Sequence, residues 1–421
     1  MKYKFLAVLA ILSASATVLA ADPTQTLYSY SMCEGSYTPY PGNIVTVAYP
    51  DSLQPVMINH VGRHGARYPS SPAHCRSLLD ALRRADSLGT VTPLGRELEA
   101  IARDVVTRAA GNWGALDSLG MAEQRAIASR MYAAYPNLFK DNTVSAISSY
   151  SPRAMMSMMS FVHQLDRLSN KPDYIMTSGR VNSPLMRPFD VDNDYLEFRK
   201  EDPVKTVYDE FFDAVCPTSA VSRVLGRDYP FENAAEWRQL AMSEYYVIAG
   251  LAAMGIQCDA SRFFTADEYN ALWSCFNMRQ YLQRTATTIS SVPADIASDL
   301  VLNIVQTTDN FIEGSDPCPV HLRFGHAETI MPLASLLRLP ACYYMTNYFD
   351  TVALHWKNFH VVPMASNLQF ILFKTKKGGR YYLRVDLNEV PLTLIPGNDS
   401  IYIPWSLARD YMMRCVPLYA Q

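Results

Sequence analysis

The apolar positions change period along the chain, and those changes outline a fold. The short continuous run Val56-Met57-Ile58, bounded by turn residues, has the pattern of a buried strand. Helical spacing follows, first through Leu78, Leu79, Leu82 and Ala85 between Cys75 and Gly89. Leu98, Ile101, Val105 and Val106 then share one face of a helix predicted from Thr92-Pro93 to about Gly111. A third helix is predicted over 121–134, stopped by Pro136, and 143–150 reads as another buried strand. Ser151-Pro152-Arg153 opens a methionine-rich helix running through Phe161 and Leu165. Strand, helices, strand and helix in that order predict an α/β layer with a mainly parallel sheet flanked by helices.

After Tyr174-Ile175-Met176 the character changes. Residues 193–300 are helical in pattern, with aromatic faces at Phe211-Phe212, Tyr245-Tyr246 and Trp273. The α/β pattern returns at His321-Leu322-Arg323-Phe324-Gly325. A hairpin follows, its strands over 368–373 and 381–385 joined across Lys377-Gly378-Gly379. The expected organisation is an α/β domain over 21–192 and 301–421, interrupted by an inserted α-helical domain over 193–300.

Residues 1–20 stand apart. Lys2 and Lys4 precede an apolar stretch rich in Ser, Thr and Ala that ends Val18-Leu19-Ala20, the pattern of a secretory signal peptide. It predicts export, to a periplasm or to the outside. The other apolar patch, 245–256, is too short to cross a bilayer, so no span is expected after cleavage. The formal charge of −3, about −5 without the two leader lysines, offers no single-sign field for a nucleic-acid partner. Eight cysteines, none in a CxxC pair, give no support to a zinc or thioredoxin-like site. With export, their even number predicts some disulfides.

The candidate chemistry lies in Asn59-His60-Val61-Gly62-Arg63-His64-Gly65-Ala66-Arg67-Tyr68-Pro69, directly after the first strand. Within five residues it delivers an imidazole, His64, flanked by two guanidiniums, Arg63 and Arg67. Guanidiniums fork onto phosphoryl oxygens, and a neutral imidazole nitrogen can attack phosphorus. Arg153, at a strand-to-helix junction, adds a third cation beside a helix N-terminus. In Arg323-Phe324-Gly325-His326-Ala327-Glu328-Thr329, His326 can bind the phosphate and Glu328 can supply a proton to a leaving alkoxide. His60 and His64 are four apart but lack the glutamate of a zinc-protease helix. Asp190, Asp192, Asp194 and Glu201 imitate a calcium loop, but Tyr195 occupies the position that needs glycine.

The run Arg63-His64-Gly65-Ala66-Arg67-Tyr68-Pro69 resembles the RHGxRxP motif of the histidine acid phosphatases. Most histidine acid phosphatases and phytases carry His-Asp at the donor position; His326-Ala327-Glu328, with Pro363-Met364-Ala365-Ser366-Asn367-Leu368, instead resembles the multiple inositol polyphosphate phosphatases. The sequence departs from the family before Arg153, where Ser148 or Ser149 replaces a common aspartate. The resemblance implies a phosphoglycerate-mutase-like α/β fold and hydrolysis of inositol polyphosphates such as phytate. It also implies a covalent phosphohistidine on His64, clamps from Arg63, Arg67, Arg153 and His326, and Glu328 as proton donor. No metal or other cofactor is implied. Extra phosphates on such a substrate need cationic partners, for which Arg180, Arg187, Lys200 and Lys205 are the candidates. The alternatives are a broad-specificity or sugar-phosphate phosphatase, or a phosphate-ester binding protein without turnover.

Overall fold

A computed structural model describes residues 27–169 and 172–417. The predicted signal peptide lies outside them. Eight strands form one mixed sheet: β1 (Leu53–Arg63), β2 (Thr143–Ser148), β3 (Asp173–Ser178), β4 (Val320–Gly325), β5 (Asn367–Thr375), β6 (Tyr381–Leu387), β7 (Val390–Leu392) and β8 (Ile403–Pro404). Their order is β3-β2-β4-β1-β5-β6-β7, with β8 pairing β6. The strands from β3 to β1 run parallel, and β5 turns antiparallel to begin the expected hairpin, whose register sets Leu372 against Leu383. The fold is therefore α/β, with the parallel strands in the half that carries the loop at residue 64.

Alternate residues of β1 enter two different cores. Met57 and Val61 pack with Leu300, Val301 and Ile304 on one face, and Ile58 packs with Val144, Phe161 and Leu322 on the other. A central strand covered on both faces reads as an unbroken apolar run for this reason. Helices α1 (Ala73–Ser87), α2 (Pro93–Ala109), α3 (Ser118–Ala134) and α4 (Pro152–Leu168) follow the predicted spacing. Thr92 caps α2, its side chain accepting from the Gly95 amide, with Pro93 in the first turn.

Between β3 and β4 the described residues form helices only, among them α5 (Ala234–Gly250), α6 (Ala266–Arg284) and α7 (Ser298–Glu313). Helices α1 and α2 join this group rather than the sheet. Their Leu78, Leu82, Leu98 and Val105 share a core with Val221, Leu240, Ile248 and Trp273. The apolar patch around Tyr245 is buried in that core, and no helix among the described residues is long and apolar enough to cross a membrane. Helix α8 (Ala327–Leu336) follows β4.

The expectation of disulfides is corrected: all eight cysteines are free. Cys33, Cys75, Cys216 and Cys275 share the helical core, where Cys275 meets Cys216 as a thiol without a bond between the sulfurs, while Cys342 lies beside the sheet and Cys318 under β4. Burial pushes the Cys33 and Cys342 thiols up to about 12.

Candidate active site

Adjacent parallel strands bring the two key imidazoles together. Arg63 of β1 pairs with Gly325 of β4, and the next residue of each, His64 and His326, leaves the sheet at its carboxyl edge. Their ring centroids lie 5.5 Å apart at 70°. The His64 amide donates to the Gly325 carbonyl at 3.1 Å, and the Ala365 amide donates to the His64 carbonyl at 3.1 Å. The loop after His64 is pressed against the start of α3. A Cβ on Gly65 would lie 2.4 Å from the Gly120 carbonyl oxygen, and one on Gly120 would lie 2.2 Å from that of Ala66. Only glycine at both positions permits this contact.

Buried side chains hold the loop. Glu123 accepts from the amides of Ala66 and Tyr40, each at 2.7 Å, and Gln124 donates to the Arg63 carbonyl at 2.9 Å. Ser157 of α4 accepts from the Gly65 amide at 3.1 Å. Burial pushes the Glu123 carboxyl up to about 7 despite these amides. These groups position the loop without facing its open side.

His64 is buried, with Nδ1 2.9 Å from the Gly65 carbonyl oxygen. A carbonyl only accepts, so Nδ1 carries the hydrogen and Nε2 keeps its lone pair. Burial, followed by the charges of Arg153 and Arg63, holds this imidazole well below its ordinary pKa. It is thus neutral at mildly acidic pH, with a free nitrogen.

Four guanidiniums surround the imidazoles. Arg63 donates to the carbonyls of Ser36 and Val362 at 2.8 and 2.6 Å, and Arg67 donates to that of Tyr68 at 2.8 Å. Arg153 reaches His326 Nδ1 at 3.3 Å, and Arg187 reaches His326 Nε2 at 2.9 Å while pairing with Asp190. The buried Nε atoms of Arg63, Arg67 and Arg153 have no hydrogen-bond partner among the described residues. Burial and then Arg67 work against the Arg63 and Arg153 cations. Crowded cations with free donors form a receptor for a compact anion.

His326 is held by Ser149, whose hydroxyl lies 2.9 Å from Nε2. Of the two serines that stand before Arg153 where the family commonly has an aspartate, Ser149 is the one that meets His326. Glu328, in the first turn of α8, has Oε1 3.7 Å from Arg284 of α6. Burial works to raise its carboxyl, but Arg284, His326 and its own backbone amide outweigh that and hold it at about 2. Thr329 accepts from the His326 amide and donates to the Met186 carbonyl at 2.8 Å, a bond that ties the segment carrying Arg187 to the site.

The other sequence candidates are dispersed. Arg180 lies over the Tyr150 ring at 4.5 Å, and Arg187 shares that ring at 4.9 Å while belonging to the buried cluster. Lys200 is exposed and paired with Glu197, and Lys205 is paired with Asp209 at the edge of a cavity that includes Arg279. His60 is buried between Phe161 and Phe324, both ring nitrogens without partners, as a packing residue. Sequence reading named Ser148 or Ser149 without choosing between them, and missed Arg284, Ser157 and Glu123. Of these, only Glu123-Gln124 left a trace, as two polar residues adjacent in a helix otherwise stopped and spaced for a core.

Residues 56–388 match the family model described as histidine phosphatase superfamily (branch 2). Multiple inositol polyphosphate phosphatase 1 of Homo sapiens is 27% identical over 391 residues, 85% of this chain and 79% of that protein. The crystal structure of Bifidobacterium longum multiple inositol polyphosphate phosphatase in complex with inositol hexasulfate superposes with a TM-score of 0.77 at 16% identity, covering 92% of this chain and 98% of that one. The phytase from D. castellii gives 0.72 at 16% identity, over 96% and 90%.

Proposed function

The chain belongs to the histidine phosphatase superfamily (branch 2), and from that premise we propose that it hydrolyses inositol polyphosphates through a covalent phosphohistidine. The observation that carries the reading is His64, neutral and with Nε2 unprotonated, among guanidiniums that have free donors. A phosphate monoester enters with one phosphoryl group on Arg63, Arg67, Arg153 and His326. Nε2 attacks phosphorus, the ester P–O bond breaks, and Glu328 delivers a proton to the departing alkoxide. Water then attacks the phosphohistidine, Glu328 takes its proton, and inorganic phosphate leaves with His64 restored.

Against burial, the neighbouring Arg284 and His326 hold the Glu328 carboxyl low. A bound phosphate group neutralises that field, so the carboxyl pKa rises when the proton is needed. A substrate entering as its monoanion brings that proton with it. The arginines supply the charge neutralisation that phosphoryl transfer requires.

The substrate class rests on the similarity to the human enzyme and on a cleft of about 260 Å³ bordered by Glu328, with Arg279 and Arg284 on its wall. Export follows from the leader-like residues 1–20. Phosphate release from inositol phosphates, sugar phosphates and nucleotides tests the reading. The highest kcat/KM is expected for a highly phosphorylated inositol. Equal rates across the panel would instead favour a general acid phosphatase.

A further inference from the structure

The two edges of the sheet are finished differently. At one end β7 is three residues long, Val390-Pro391-Leu392, and Pro391 brings no amide to a ladder. At the other end β3 carries Tyr174-Ile175-Met176-Thr177-Ser178, with no charge, proline or glycine. No strand among the described residues pairs with its outer side. Edge strands are ordinarily blunted by such residues, and an apolar edge without them is a template for another strand. Ile175 and Met176 are 57% and 41% exposed.

The apolar surface continues onto α4. Gln164 fastens one flank of that helix to α3, on the β1 side, donating to the Ser129 hydroxyl at 3.0 Å. Met155 and Met159, four residues apart, share the opposite flank on the β3 side, and both are exposed, as is Met156.

Backbone direction selects a register for an added strand. The Asp173 amide donates to the Asn142 carbonyl, toward β2. Amides alternate sides along a strand, so Tyr174, Met176 and Ser178 turn theirs outward. A second β3 laid antiparallel satisfies them with Met176 opposite Met176 of the second copy and Tyr174 opposite Ser178. The same register sets Asp173 opposite Gly179, one position from Arg180 of that copy. Asp173 and Arg180 are exposed and join none of the ion pairs among the described residues, Arg180 resting on the Tyr150 ring instead. Hydrogen bonds, apolar contact and charge thus agree on one register, and a single segment supplies both halves of it.

We propose that β3 pairs antiparallel with β3 of a second copy of this chain, joining two eight-stranded sheets into one across a two-fold axis at Met176. Antiparallel pairing points the carboxyl ends of the two sets of parallel strands in opposite directions. The clefts at those ends stay clear of the interface, so each copy keeps its own complete site.

The test is the mass of the protein in solution, by sedimentation velocity across micromolar concentrations. The wild type should sediment as two chains. Met176→Lys sets like charges opposite each other at the axis and should raise the dimer dissociation constant about 10-fold or more. Its turnover of p-nitrophenyl phosphate should match the wild type, which also shows that it folds. Val390→Lys, on the opposite edge, should leave the dimer intact. Facing residues of a hydrogen-bonded antiparallel pair are within disulfide reach, about 5.5 Å between Cα atoms. Met176→Cys should therefore link two chains under mild oxidant, and the wild type, with its eight native cysteines, should not. A wild type of one-chain mass overturns the proposal. So does a dimer that Met176→Lys weakens no more than Val390→Lys, or that Met176→Cys fails to link.

Discussion

His64 and His326 stand one residue beyond the paired ends of adjacent parallel strands, with ring centroids 5.5 Å apart. Strand pairing therefore sets their separation, and no loop has to find it. His326 in turn gathers Arg153, Arg187 and Ser149 around its two nitrogens. The cluster of imidazoles and guanidiniums is assembled from four chain segments about one sheet edge.

The acid side of the pH profile follows from this crowding. Burial and then Arg153 depress the His64 pKa. A base with a depressed pKa keeps its lone pair as pH falls below 6.5, so kcat/KM should hold between pH 7 and pH 5. Arg153→Ala removes the first-ranked charge and should move the acid limb upward. A wild-type limb near 6.5 that Arg153→Ala leaves in place would contradict the electrostatic account.

Glu328→Gln keeps the shape of the side chain and removes its proton. Loss of general-acid help costs roughly 10²–10⁴-fold where the leaving group is poor. Inositol phosphates should therefore suffer far more than p-nitrophenyl phosphate, whose phenolate leaves with little protonation. Equal losses on both would assign the donor role elsewhere.

Glu123 should matter to stability and to the loop together. Glu123→Ala strands the buried amides of Tyr40 and Ala66, at a cost of roughly 2–4 kcal/mol. The Glu123 carboxyl pKa is raised to about 7 in the fold, from an ordinary 4.5. The folded state thus binds the extra proton between those values. Its contribution is full below 4.5 and is lost as pH rises through 7. Denaturant melts from pH 5 to 8 should show that slope in the wild type and a flatter one in Glu123→Gln.

Gly120→Ala tests the contact between α3 and the catalytic loop. The added methyl would lie 2.2 Å from the Ala66 carbonyl oxygen, so backbone must move. A shift of the loop carrying His64 by about 1 Å should lower kcat by roughly 10²-fold while the protein still folds. Wild-type turnover in a folded Gly120→Ala variant would show that the loop does not need this support.

Much of this was legible in the sequence because it depends on local pattern. The apolar run at Val56, the period of α1 to α4 and the hairpin at Gly378-Gly379 all report neighbours along the chain. Arg63, His64 and Arg67 were visible for the same reason, since one turn brings them together. Arg284 and Arg279 were not, because they reach the cleft from a helix whose approach is a tertiary fact. Ser157 was hidden differently: a buried hydroxyl that holds an amide leaves no periodicity. Arg187 was read as a pocket-wall cation, whereas the Thr329–Met186 bond draws its segment onto His326.

The central claim is that His64 Nε2 becomes bonded to phosphorus during turnover. The direct measurement is an alkaline quench of enzyme turning over an inositol polyphosphate, within its first turnover, followed by peptide mass spectrometry. Phosphohistidine survives base and is lost in acid. The account predicts a phosphoryl group on His64, on the Nε2 nitrogen, absent from His64→Ala, which should still bind the substrate through its arginines. Phosphate on another residue, or an active His64→Ala enzyme, would contradict it.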